Sequence, residues 1–412
     1  MRAWRPVAVT GLGVVSSLGT GRRAFWESLL AGRSGISEVR SFDTSRHPVH
    51  RGGEVVGFRA EEHLAVLDPV SIGRASQMAA AAARLAVADA GLDPASMGSV
   101  HDPERVGVAM GTTSGEPLEI ERYDDRYVAG ELAAVDGALV DRYPCHTIST
   151  AVAAELSVGG PNAMIPTACA AGNYAIAYAA DLLAAGRADL MLAGGADSFS
   201  RITYTGFARL GAIAPEICQP FDRHRKGMIP GEGAAVLVLE PLDRARERGA
   251  RIFAEVAGYG LSCDAHHMTG AHPEAAGAAR AMEQALATSG LVPDDVDYVS
   301  AHGTGTPTND RVEALAVRRV FGERAGRVPI SSIKSMIGHT MGAASALESV
   351  VCCLAVAEGR IPPTVNFEEP DPECDLDCVP NEARELAVRV AMNNAYAFGG
   401  NNASVLFREP RS

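Results

Sequence analysis

The sequence predicts an α/β protein built from two similar halves, and three features carry that expectation. Strand-like β-branched stretches alternate with Ala-rich helical ones, as in "RVGVAMGTTSG", "RADLMLAGGADS" and "VDYVSAHGTGT", the pattern of mixed α/β chains. A strand closed by a Gly/Thr/Ser turn occurs twice, at "VGVAMGTTSG" and "VDYVSAHGTGT". Each is followed by an Ala-rich helix ending in Gly-Arg, "CAAGNYAIAYAADLLAAGRADL" and "HTMGAASALESVVCCLAVAEGRIP". The spacing repeats as well: Cys169 lies 65 residues before Ala234 of "GEGAAVLVLEP", and His339 lies 64 before Ala403 of "GGNNASVLFREP". Parallel spacing of this kind predicts an internal duplication, 1–255 and 256–412, packed around shared central helices. It places Cys169 and His339 at matching helix N-termini.

The opening "RPVAVTGLGVVSSLG" reads as a strand, a Gly turn and a helix start, with no room expected for a signal peptide. A chain that is 47% apolar and 21% charged is ordinary for a globular protein, and a formal charge of −13 argues against a general nucleic-acid binder. The cluster Arg223-His224-Arg225-Lys226 is either a solvated loop or a local docking patch for an acidic partner. Eight Cys show no CxxC pair, and Cys374 and Cys378 lack companions for a zinc finger, so neither a disulfide scaffold nor a metal site is expected. No apolar run is expected to span a bilayer, and a reducing cytoplasm is the expected location. "GTGTPTND" and "GLGVVSSLG" are Gly-rich, but neither has the strand–GxGxxG–helix context of a nucleotide or flavin site.

Between Pro166 and Asp181 the chain carries no charge, so this helix is expected to be buried on all faces with Cys169 aimed at the centre of the fold. Free N–H groups and the positive dipole end would lower the Cys169 pKa. Ala170, Ala171 and Gly172 would leave its approach open. The plainer alternative is a small buried hydrophobe. A thiolate nucleophile needs partners, and the second half offers them on Gly-flanked loops: His302 in "AHGTGTPTND" and His339 in "SIKSMIGHTMGAAS". Lys334, one of only two lysines with Lys226, stands five residues before His339.

"TACAAG", "AHGTGTPTND", "SIKSMIGHTMGAASALE" and "NNAYAFGGNNAS" together resemble β-ketoacyl-acyl-carrier-protein synthases of the two-histidine, elongating kind. The resemblance extends over nearly the whole chain through "VTGLGVVSSLG", "FDRHRKGMIPGEGAA" and "DAHHMT". It implies a thiolase-like fold, layered αβαβα, and a decarboxylative Claisen condensation. Cys169 would take an acyl group from the phosphopantetheine arm of an acyl carrier protein. His302 and His339, uncharged, would donate hydrogen bonds to the enolate formed from a malonyl thioester. The resemblance also assigns Lys334 and Glu348 to a network positioning His339, and Asp310 and Glu313 to a neighbouring water or ion cluster. The backbone amides of Cys169 and Phe398 would form an oxyanion hole, with "FGG", Gly399 included, letting the backbone approach. Phe398 would gate the acyl pocket, and Thr304 and Thr306 would bind the pantetheine arm. No cofactor beyond the carrier-bound substrates and no metal is implied.

Two departures concern the substrate. "ACAAG" replaces the family's usual "ACTSG", and "AAELSVGGPNAM" is about two residues shorter than in fatty-acid elongation enzymes. With the Arg-rich composition they favour a type II polyketide pathway over fatty-acid elongation. The catalytic subunit would then pair with a chain-length-factor homologue or with itself, without nucleic acid or membrane. Arg223, Arg225 and Lys226 are the candidate carrier-docking residues. A malonyl decarboxylase or priming enzyme, and a non-catalytic partner subunit, are the alternatives on the same scaffold.

Overall fold

The computed structural model describes residues 5–97 and 102–411. Ten of the main sheet's eleven strands lie on one path, the short strand Gly19–Thr20 pairing beside the first: β1 (Val7–Ser16), β2 (Val106–Gly111), β3 (Asn162–Ile165), β4 (Leu190–Asp197), β5 (Gly233–Pro241), β6 (Ala254–Cys263), β7 (Tyr298–Ser300), β8 (Ile330–Ser331), β9 (Val390–Tyr396) and β10 (Asn401–Arg408). Outward from the middle, one side runs β1-β5-β4-β2-β3 and the other β6-β10-β9-β7-β8. Both sides have two antiparallel pairings followed by two parallel ones. They meet where β1 and β6 pair antiparallel through Val7–Val256, Ala8–Glu255 and Val9–Ala254.

Strands β1, β4 and β5 are buried along their full length, which explains why they read as continuous apolar runs rather than alternating ones. Both faces are covered by helices. Helix α1 (Arg74–Asp89) lies on β1 and β5, and α3 (Ala276–Ser289) lies on β6 and β10. Between the two sheet halves run α2 (Ala171–Ala184) and α5 (Ala344–Glu358), with α4 (Pro307–Phe321) beside α3. Three large hydrophobic clusters correspond to the three helix layers, so the order is αβαβα. The "GLG" of β1 has a packing reason: a Cβ on Gly13 would lie 1.8 Å from the Ala82 carbonyl oxygen of α1.

The central helices correct three expectations. Helix α2 is not buried all round, since Tyr178 is 41% exposed and Asp181 is also exposed, accepting a bond from the Tyr259 hydroxyl at 2.6 Å. The segment Met341–Glu358 is long and apolar enough to cross a membrane by length and composition, contrary to the sequence expectation. It is 89% buried within the fold and forms its core helix. Both α2 and α5 are preceded by a 3₁₀ turn, Ala168–Ala170 and Met341–Ala343. Aligned on these turns, Cys169 matches Gly342, and His339 sits three residues earlier than the repeat spacing suggested.

Candidate active site

Cys169 stands at a corner between β3 and α2. Ala168, at φ +51°, turns the chain into the left-handed region and so starts the 3₁₀ turn that carries the thiol. The sulfur is buried, and His339 Nε2 lies 3.1 Å from it. The backbone N–H of Met341 donates to His339 Nδ1 at 3.1 Å, so Nδ1 is an acceptor and the ring proton resides on Nε2, aimed at the sulfur. The His302 ring crosses that of His339 at 85°, centroids 5.6 Å apart. Sγ and one nitrogen of each imidazole all lie within 4.8 Å of one another.

Among the described residues, Cys169, His302 and His339 form the one group of three or more His, Cys, Asp or Glu side chains close enough together to hold a metal. The tautomer of His339 opposes that use. A metal at Nε2 would force the proton onto Nδ1, where it would face the Met341 N–H. His339 is set to donate a hydrogen bond through Nε2.

His302 is fixed through its backbone. Its N–H and that of Gly303 donate to the two oxygens of Glu313 at 2.8 and 2.7 Å, while its carbonyl accepts from Lys334 Nζ at 2.6 Å. Lys334 also pairs with Glu348, and both are fully buried. Lys334 therefore braces the His302 loop directly and reaches His339 through its charge. Ser332, which sequence reasoning missed, holds the same loop by donating to the Gly303 carbonyl at 2.6 Å.

Burial, with the Lys334 charge behind it, depresses both imidazoles well below their ordinary pKa, so they are neutral at physiological pH. Cys169 contradicts the expected thiolate. Burial pushes its thiol up to about 12, and the helpful field of Lys334 and its own backbone N–H are too weak to reverse that. At rest the site is a neutral thiol beside two neutral imidazoles.

Other assignments change with the geometry. Asp310 and Glu313 each accept backbone amides, which gives both acids a bracing role whether or not they also line a water or ion cluster. Asp310 takes Phe221 N at 2.8 Å and Gly305 N at 3.2 Å, and burial raises both acids, Glu313 to about 8. Gly399 supplies no oxyanion donor, because its N–H is bonded to the Met268 carbonyl at 2.8 Å; its φ of +82° shapes the turn. The amides of Cys169 and Phe398 fall in the first turns of two 3₁₀ segments, where helical partners are lacking. Gly172 does not open the thiol's approach but faces Ala346 of α5. Arg225 is buried against Asp371 and Asp222, and the exposed Arg223 pairs with Glu369, which leaves Lys226 as the exposed cation of that trio outside an ion pair.

A cavity of about 200 Å³ runs from the surface to Cys169, His302 and His339. Thr304, Thr306 and Phe398 line it, with the two threonine hydroxyls 2.9 Å apart and the Phe398 ring, 38% exposed, against Phe207. Tyr396, Asn402 and Asp264 also line it. They stand in the quoted "NNAYAFGGNNAS" and "DAHHMT", whereas nothing in the sequence singled out Phe207.

The descriptions "Beta-ketoacyl synthase, N-terminal domain" and "Beta-ketoacyl synthase, C-terminal domain" match residues 4–245 and 253–368. The chain belongs to the β-ketoacyl synthase family. This ketosynthase is 40% identical to the tetracenomycin polyketide synthase ketoacyl synthase alpha subunit of Streptomyces glaucescens, over 99% of this chain and 98% of the relative. It is also 40% identical to 3-oxoacyl-[acyl-carrier-protein] synthase 2 of Coxiella burnetii, over 98% of each. Among solved structures, the ishigamide ketosynthase/chain length factor superposes with a TM-score of 0.94 at 42% identity, covering 99% of this chain and all of the other. A type II polyketide ketosynthase solved with its acyl-carrier protein gives 0.90 at 33%, with the same coverage. The ketosynthase is thus a carbon–carbon bond-forming acyltransferase with the thiolase-like fold.

Proposed function

We propose that this ketosynthase lengthens a chain in type II polyketide synthesis, condensing an acyl group on Cys169 with malonyl-acyl carrier protein. The observation that carries the reading is the His339 Nε2–H aimed at Cys169 Sγ from 3.1 Å, on a ring whose other nitrogen is already occupied. In the first stage the sulfur attacks the acyl thioester. The Cys169 proton ends on the departing pantetheine sulfur, so the exchange is neutral overall. The N–H of His339 steadies the sulfur as charge develops, and the Cys169 and Phe398 amides serve the tetrahedral oxyanion.

In the second stage malonyl thioester loses CO₂, and the electron pair of the broken bond moves into an enolate. Two neutral imidazoles fit that oxyanion because they donate without carrying a proton it could remove cheaply. Each such donor is commonly worth about 3–4 kcal/mol. The enolate carbon attacks the acyl carbonyl, the bond to Sγ breaks, and the sulfur takes one proton from water. Lys334, Glu348 and Glu313 hold His302 in place, Asp310 holds the adjoining loop, and Thr304 and Thr306 are placed for the amide groups of the pantetheine arm. No cofactor of the enzyme's own enters this scheme.

The partner is an acyl carrier protein, in an assembly with a chain-length-factor homologue or a second copy. Solved relatives described with those partners support this. The matching strand orders of the two sheet halves support division into duplicated halves 1–255 and 256–412. Eight free cysteines suit a reducing cytoplasm. A second reading, fatty-acid elongation by the same chemistry, draws on the equal identity to the Coxiella enzyme. Decarboxylation or priming alone, and a non-catalytic role, leave the acyl-accepting thiol or the whole triad unexplained.

Intact-mass analysis after incubation with a panel of acylated carrier proteins, with and without a partner subunit, tests this reading. The expected result is acyl-Cys169 and a two-carbon longer product after malonyl-carrier addition. Acyl mass on Cys169→Ala, or CO₂ release without growth, would overturn it.

A further inference from the structure

We propose that Asp197 is a positioning residue for His339, fixing the tautomer and aim of its imidazole through the turn that follows it. Asp197 ends β4 and is fully buried. Its carboxylate accepts four hydrogen bonds. Oδ1 takes the Thr112 hydroxyl at 2.9 Å and Ser114 N at 2.8 Å, and Oδ2 takes Thr113 N at 2.8 Å and Gly342 N at 2.7 Å. Three of these come from the loop after β2 in the first half, and the fourth from the His339 loop in the second.

The fourth matters most. Gly342 follows Met341, whose own N–H donates to His339 Nδ1. Met341 holds a φ of +55°, a left-handed conformation that a residue with a Cβ adopts only when its surroundings impose it. Asp197 grips the peptide on the far side of Met341 and so holds that residue's N–H toward the ring. The packing leaves little slack: a Cβ on Gly342 would meet the Thr112 backbone at 2.5 Å, and one on Gly195 would meet the Gly342 carbonyl oxygen at 2.5 Å. If the Met341 N–H turned away, Nδ1 would be free to carry the proton and Nε2 would become an acceptor, useless to an enolate oxygen. The sequence offered no hint of this, because an Asp at the end of a strand is usually a turn residue.

The inference rests on His339 acting as a donor, and it is tested by a measurement independent of turnover. Histidine ring ¹⁵N shifts are recorded for the wild type, Asp197→Asn and Thr112→Val. Malonyl-carrier decarboxylation is followed in parallel. Thr112→Val loosens the same cluster but keeps the grip on Gly342, so it reports the merely structural effect. The wild type and Thr112→Val are expected to hold His339 as the Nε2–H tautomer. Asp197→Asn is expected to mix the tautomers and lower the decarboxylation kcat tenfold or more beyond Thr112→Val, with KM within twofold. Wild-type tautomer and rate in Asp197→Asn would overturn the proposal. So would an Nδ1–H tautomer in the wild type, a result that stands even if Asp197→Asn does not fold. A wild type that decarboxylates nothing would sink the functional reading while leaving the tautomer result to be judged alone.

Discussion

Lys334 Nζ donates to the carbonyl oxygen of His302 at 2.6 Å, and its other partner is the buried carboxylate of Glu348. One histidine is thereby held mechanically by the lysine, while its charge adds to the burial that keeps both neutral. The brace and this added field depend on a single ammonium group, which makes it a sensitive point of the site.

Replacing Lys334 by Met strands Glu348 without a counter-charge and releases the His302 carbonyl. Breaking a buried pair from one side costs about 3–5 kcal/mol, so urea unfolding of Lys334→Met is expected to shift by that order. Decarboxylation should fall roughly 10²–10³-fold, the cost of losing a placed oxyanion donor. The double variant Lys334→Met/Glu348→Leu should regain much of the stability and none of the rate. Recovery of turnover in the double variant would show that Lys334 acts only to neutralise Glu348.

The thiol itself gives a second prediction. With burial pushing Cys169 to about 12, its thiolate fraction rises tenfold per pH unit throughout the range in which the protein can be handled. Iodoacetamide labelling of Cys169, read by intact mass, should keep accelerating from pH 7 to pH 10 with no plateau. A plateau below pH 8 would restore the low-pKa thiolate that the helix terminus suggested.

That contrast shows where the sequence is informative. Cys169, His302 and His339 could be picked out because Gly-flanked loops and an uncharged helix mark a buried nucleophile and its partners. Matched spacing suggested a repeat but neither the strand order nor the three-residue offset of His339 from the turn equivalent to that of Cys169. What the sequence lacks is depth: the same dry surroundings that neutralise the imidazoles also raise the thiol, and dipole reasoning sees only the opposing effect. Nor does it show which backbone group a side chain grips. Asp310 and Glu313 look like helix charges from their spacing on α4, yet each bonds amides of loops that precede or lie beside that helix.

Two imidazoles held neutral leave a mark on stability. Their folded pKa lies well below the ordinary histidine value of 6.5, so below pH 6.5 the unfolded chain binds protons that the folded one refuses. Stability contributed by these groups is present above that value and is lost as pH falls, by up to about 1.4 kcal/mol per pH unit for each histidine. Between pH 6.5 and 5 the wild type should lose more stability than His302→Asn/His339→Asn, read as the slope of urea-derived free energy against pH. Equal slopes would mean that the rings are protonated in the folded enzyme.

The two central helices touch at Gly172. Its missing Cβ would stand 2.6 Å from Ala346 N and 2.9 Å from Ser345 Oγ, and that hydroxyl accepts the Asn173 N–H at 3.1 Å. A methyl group here must push α2 and α5 apart, because the nearest atom is the backbone nitrogen of Ala346, which has no flexible end to yield. Overpacking of this kind costs about 1–3 kcal/mol, and Gly172→Ala should lower the urea midpoint accordingly. The larger consequence is geometric. Cys169 is carried by the turn into α2 and His339 by the loop into α5, so spreading the helices lengthens the 3.1 Å contact between sulfur and Nε2. Acylation of Cys169 by acyl carrier protein should then slow by more than the stability loss explains. An enzyme with Gly172→Ala that acylates at the wild-type rate would show that the nucleophile's aim is set by its own corner, independently of how the helices meet.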